Sequence, residues 1–187
     1  LLTLCGENDL LGSRFTDQRT LTAAEAVVLT GDPLGYMGDR GAPCVKYRFE
    51  IKGAGARTGD LPETGVHALR TAADCVTRLR CGHVSPDSVV GIANLLCPGQ
   101  TGTVPARASF EVAICSYDEE ELRALSDEAV QTVETTCAEQ GAQCTSERSC
   151  VAPAYRIPAD APLLRRICRG LTELGCAPVI GQPLRCS

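Results

Sequence analysis

The stretch that most constrains this chain is residues 43–154, where the hydrophobic pattern switches between strand and helix periods in a fixed order. "VKYRFEIKG" sets Val45, Tyr47, Phe49 and Ile51 against Lys46, Arg48, Glu50 and Lys52, the alternation of a strand with one buried face. "TGVHALRTAADCVTRLR" then spaces Val66, Leu69, Ala73, Val76 and Leu79 along a helix face, with Arg70, Asp74 and Arg78 turned outward. "DSVVGIANLLC" reads as a strand, "PGQTGTVPA" as a turn-rich connection, and "RASFEVAIC" as a strand presenting Phe110, Val112 and Ile114. A long amphipathic helix follows in "DEEELRALSDEAVQTVETTCAEQG", with Leu122, Leu125, Ala129, Val133 and Cys137 as its apolar positions. Its acidic run, Asp118 to Glu121, meets the positive end of the helix dipole, and Gly141 closes it. "QCTSERSCVAPAY" is a final strand. The order strand, helix, strand, strand, helix, strand specifies a ferredoxin-like split β-α-β unit, an α/β fold with a four-stranded antiparallel sheet and two helices on one face. The other face, or an edge strand, is left for a partner.

The flanks differ. "LLTLC" and "AVVLTGDPLG" are short apolar strands, and "DAPLLRRICRGLTELGC" is a helix capped by Asp160 and Pro162 that ends at Gly175 before "APVI". Short apolar strands alternating with helices suggest a parallel α/β domain into which the central unit is inserted. The domain reading is therefore 1–42 and 155–187 as parts of an outer domain, with 43–154 between them.

Function classes narrow by composition. A net charge of −5 with no cationic stripe counts against nucleic acid as a partner. No apolar run approaches the ~20 residues of a membrane-spanning helix. The start, "LLTLCGENDLLGS", has no basic region before Glu7 and Asp9, so the expected location is cytoplasmic. It also lacks an initiator methionine, and a portion of a longer protein is expected. The chain carries twelve cysteines but no C-x-x-C pair; its closest spacings are Cys75/Cys81, Cys137/Cys144 and Cys144/Cys150. Cys75, Cys137 and Cys168 fall on apolar positions, so reduced cysteine acting as a small hydrophobe is the reading. Two histidines are too few for a histidine metal site; His67 reads as structural, inside a helix starting near Thr64, and His83 as a loop residue.

"GAGARTGDLPETGVHAL" at 53–69 could cradle a phosphate, but it lacks G-x-x-x-x-G-K-[ST] and follows a strand of an antiparallel unit. A different match covers nearly the whole chain. "TLCGENDLLG" at 3–12, "LTG" at 29–31, "FEIKGAGARTGDLPETGVHA" at 49–68, "GTVP" at 102–105 and "CSYD" at 115–118 occur in order. Together they resemble the motifs of the co-catalytic zinc exopeptidases related to peptidase T, aminoacylase and carboxypeptidase G, closest to the peptidase T-like branch.

The resemblance implies a zinc peptidase domain interrupted by a lid that also dimerises, acting on small peptides when intact. It places the general base at Glu7 and metal ligands at Asn8 and Thr30, with Asp32 as a possible substitute ligand. It places the histidine that reaches across the dimer at Arg57, an asparagine at Gly102, and the substrate-carboxylate arginine at Cys115. A neutral amide and a hydroxyl cannot supply the anionic oxygens of such a metal site, and Cys115 lacks a guanidinium fork. The resulting expectation is a degenerate or partial homologue that binds no zinc and is inactive alone, a homodimer through the lid. The alternative is a stand-alone interaction module.

Overall fold

The computed structural model describes residues 15, 17, 19, 22–28, 33–57, 59 and 65–181. Strands, in chain order, are β1 (Tyr36–Met37), β2 (Arg40–Gly41), β3 (Cys44–Lys52), β4 (Ala56–Arg57), β5 (Gly82–Ser85) and β6 (Ser88–Leu96). They continue with β7 (Thr103–Val104), β8 (Arg107–Ser116), β9 (Gln143–Ala152), β10 (Tyr155–Arg156) and β11 (Val179–Ile180). Helices are α1 (Ala68–Arg78), α2 (Glu119–Glu139) and α3 (Pro162–Glu173). Two compact units result, one built from Ala42–Pro153 and one from the flanking segments.

The central unit holds an antiparallel sheet in the order β5-β6-β8-β3-β9. Its inner face is the one the alternation predicts: Val45, Tyr47, Phe49 and Ile51 on β3, and Phe110, Val112 and Ile114 on β8, are all buried. Phe49 and Phe110 face each other in register, with ring centroids 5.2 Å apart, and Tyr47 stacks on Phe49 at 5.9 Å. Five strands replace the expected four. The addition is β5, which pairs Gly82 with Val90 and His83 with Val89, so His83 is a strand residue rather than a loop residue. Four residues, three of them polar or glycine, carry no alternation to announce a strand; pairing with β6 defines it.

α2 buries Leu122, Leu125, Ala129, Val133 and Cys137 as expected. Asp118 caps it, its carboxylate accepting from the Glu120 and Glu121 amides at 2.8 and 3.2 Å. Buried Ser88 donates to Glu121 at 2.6 Å, tying the first turn of α2 to β6. Replacing Asp118 by alanine is expected to cost about 1 kcal/mol, read by thermal denaturation.

α1 differs from its sequence reading in two ways. It begins at Ala68, and His67 is its N-cap, with Nδ1 accepting from the Arg70 amide at 3.4 Å, rather than an interior residue. Its buried face is Ala68, Thr71, Ala72, Cys75 and Leu79, rotated from the predicted stripe through Leu69, Ala73 and Val76. Small side chains let the helix sit close to the sheet, while the larger Leu69 and Val76 lie at the flanks of the contact. Among the described residues no buried side-chain nitrogen or oxygen lacks a hydrogen-bond partner.

In the flanking unit β1 pairs in parallel with β11, and β2 pairs antiparallel with β10. α3 starts from Ala161 with Pro162 in its first turn and no side-chain cap, so Asp160 does not cap it. Proline serves there because its missing amide would be unpaired in any case.

Candidate functional site

The glycine-rich segment forms a corner, and steric room decides its course. β3 ends at Lys52, and the Gly53 amide donates to the Ala106 carbonyl at 2.8 Å. Ala54 and Val66 then bridge, each amide donating to the other's carbonyl at 3.0 Å. A Cβ on Gly53 would lie 2.0 Å from the Val66 carbonyl oxygen, so only glycine permits this approach. β4 pairs antiparallel with β7, setting Ala56 opposite Val104 and Arg57 opposite Thr103. Gly102 adopts φ +90° in the turn before β7, where the Thr103 amide and hydroxyl both donate to the Gln100 carbonyl at 3.2 and 2.8 Å.

The backbone thus brings Arg57 and Gly102 side by side, though they are far apart in sequence. Cys115 lies elsewhere. It sits near the far end of the ten-residue β8, roughly 25 Å along the extended chain from the corner. Its side chain is 1% exposed, set opposite Cys44 in register and packed with Cys44 and Val151 on the sheet face away from the helices. Between these places that face carries a self-pairing charge ladder. Arg48 lies 3.7 Å from Glu111 and 3.8 Å from Glu50, and Lys46 lies 3.9 Å from Glu111. Partly exposed pairs of this kind contribute at most about 1 kcal/mol each.

The positions Glu7, Asn8, Thr30 and Asp32 lie outside the described residues. Among the described residues, no group of three or more histidine, cysteine or acidic side chains is placed to hold a metal ion. A further grouping escaped the sequence reading: Cys75 and Cys137, read as separate core hydrophobes, belong to one buried cluster, with Cys144 of β9 packed against it. The spacing of seven between Cys137 and Cys144 was visible, but not that a turn at Gly141 folds one back beside the other.

With the geometry established, the chain can be set beside known structures. A tripeptidase from Staphylococcus aureus subsp. aureus Mu50 superposes over 99% of this chain with a TM-score of 0.82 at 20% identity. The chain has the peptidase T fold. An aminopeptidase PepT from Bacillus cereus ATCC 10987 likewise matches 99% of it, with a TM-score of 0.77 at 22% identity. AtUAH in complex with glyoxylate matches 81% of it at a TM-score of 0.67 and 18% identity. Within the peptidase T-like fold, the central unit resembles the lid/dimerisation domain. In sequence, the uncharacterized protein YqjE of Bacillus subtilis (strain 168) is 23% identical over 159 residues, 83% of this chain. No protein-family model matches. The chain spans half the length of the two bacterial peptidase structures and 42% of YqjE. No helix among the described residues is long and apolar enough to cross a membrane.

Proposed function

We propose that this chain is a lid-bearing portion, or degenerate homologue, of a zinc-dependent peptidase T-like exopeptidase, inactive by itself, whose lid pairs with a second copy. The reading rests on the peptidase T fold, matched over 99% of the chain, taken with the groups that the sequence resemblance sets at that family's working positions. Gly53 and Gly102 keep structural roles that only glycine fills easily. Asn8 and Thr30 stand at metal-ligand positions without an anionic oxygen, so the donor set does not fit a two-zinc centre. Cys115 offers no bidentate grip to a substrate carboxylate and is buried.

The placement of the substrate positions favours pairing. Arg57 and Gly102 share one corner, and Cys115 lies near the other end of β8. Roughly 25 Å of extended strand separates the two places. β9 is one of the sheet's two edge strands; among the described strands it pairs with β3, and it is exposed along most of its length, which suits strand-to-strand association.

The activity test is direct. Incubated with zinc and a tripeptide, the chain is expected to release no amino acid above background. Hydrolysis that a chelator abolishes would refute inactivity and restore the peptidase reading. Light scattering after size exclusion is expected to give twice the 19.7 kDa chain mass. A strict monomer across the accessible concentration range would remove the pairing.

A further inference from the structure

Two cysteines from strands far apart in sequence stand directly opposite each other in the sheet. The register of β3 with β8 pairs Cys44 with Cys115, and among the described strand pairs this is the one place where a cysteine faces a cysteine. The backbone fixes the kind of pair. The Ser116 amide donates to the Pro43 carbonyl at 3.4 Å, so the hydrogen bonding here runs between residues that flank the two cysteines. Cys44 and Cys115 are therefore a non-hydrogen-bonded pair, the closer of the two antiparallel kinds, with Cα atoms about 4.5 Å apart and side chains on one face. A disulfide spans Cα separations of about 4.4–6.8 Å, so bridging the pair needs no change of register.

The surroundings hold the two side chains together. Cys44 is 5% exposed and Cys115 1%, and they share an apolar cluster with Val151, packed on by Val89 and Tyr117. β3 is paired with β8 along its whole length, and β8 is held by β6 on its other side, so the two Cβ atoms stay facing each other. Cys144 and Cys150 of β9 sit opposite Ile51 and Val45, on the helix side of the sheet, and neither shares the face of this pair. Cys115 stands where the resemblance sets a substrate-binding arginine; what faces it from β3 is a second thiol.

We propose that Cys44 and Cys115 form a redox modification site whose co-reactant is a small-molecule disulfide of the glutathione class, and that oxidation closes a cross-strand disulfide between β3 and β8. The Cys44 thiol loses its proton to solvent, and the thiolate attacks one sulfur of the small disulfide, breaking its S–S bond. One small thiolate leaves and takes up a proton, and a mixed disulfide remains on Cys44. The Cys115 thiol loses its proton in turn and its thiolate attacks Cys44 Sγ; the second small thiolate leaves and is protonated. Two cysteine thiols are thereby oxidised, and one small disulfide is reduced to two thiols. Cys44 reacts first because it is the more exposed of the two and is the first residue of β3, where strand pairing ends and opening is local. The finished bond encloses roughly 70 residues, from β3 through α1, β5 and β6 to β8, and restricts the unfolded chain accordingly.

The test incubates the folded full chain with glutathione disulfide, alkylates the remaining thiols, and cleaves after lysine and arginine. Cleavage leaves Cys44 in residues 41–46, Cys115 in 108–123 and Cys150 in 149–156. The expected product joins the first two peptides, with a melting temperature raised by about 5 °C or more and the rise reversed by dithiothreitol. In denaturant, where any of the twelve cysteines can meet any other, the share of that product is expected to fall at least about tenfold. Cys44→Ala is expected to abolish the rise in melting temperature, and Cys150→Ala, at an exposed position, to keep it. Full alkylation of Cys44 and Cys115 after exposed Cys81 and Cys150 have taken up glutathione would overturn the proposal. So would a bond from Cys44 to Cys150, or an equal share of the product in folded and denatured chain. Where Cys44→Ala does not fold, the peptides of the parent chain decide alone.

Discussion

Replacing Phe110 by alanine is expected to destabilise the central unit by about 3–5 kcal/mol, a large share of the roughly 5–15 kcal/mol that holds a domain of this kind together. Phe110 lies on the middle strand of the sheet, between β3 and β6, and is fully buried. It meets Phe49 in register at 5.2 Å, and Phe49 in turn stacks on Tyr47. Truncation removes an aromatic pair as well as the ring's burial, and neighbouring β-strands, fixed by hydrogen bonds on both sides, cannot collapse into the space. Phe110→Leu keeps most of the volume and is expected to cost less than half as much. Denaturant melts followed by circular dichroism measure both; a midpoint for Phe110→Ala within error of the parent would contradict this account of the core.

The second large effect is expected at Gly53, a residue with no side chain to lose. Its missing Cβ is the space occupied by the Val66 carbonyl oxygen, 2.0 Å away. That oxygen is backbone, held by the Ala54 amide at 3.0 Å, so it cannot swing aside as a flexible side chain would. Gly53→Ala must break the Ala54–Val66 bridge or move the start of α1, at an expected cost of about 3 kcal/mol or more. Gly59→Ala is the control: no atom lies within 4 Å of the place its Cβ would take, and a change within about 0.5 kcal/mol is expected. Hydrogen exchange at Ala54 and Val66 reads the local consequence, and unchanged protection there in Gly53→Ala would count against the steric argument.

The sites of these substitutions mark how far the sequence alone could be read. β3 was legible because its large apolar residues alternate with charged ones, and β8 because Phe110, Val112 and Ile114 recur at every second position; the structure buries both sets. α2 was legible for the same reason, with its cap at Asp118 and its stop at Gly141 written locally. β5 was not, since its residues carry no period and become a strand only by pairing with β6. The face of α1 was misjudged because periodicity cannot tell which of two adjoining stripes, one large and one small, the sheet will accept.

The same division runs through the functional reading. Local motifs in order along the chain were enough to suggest the peptidase T-like fold, and the residues that the resemblance sets at working positions, Asn8, Thr30, Arg57, Gly102 and Cys115, can be read one at a time. Which of those letters act together is a different matter. Arg57 meets Gly102 through the pairing of β4 with β7, while Cys115 is carried to the far end by the length of β8. Cys75, Cys137 and Cys144 share one core cluster because α1 and α2 pack side by side and Gly141, at φ +69°, turns the chain back into β9. Sequence patterns report what each segment buries; only the closing of long loops decides which chemical groups become neighbours, because that choice is made by pairings between residues many positions apart.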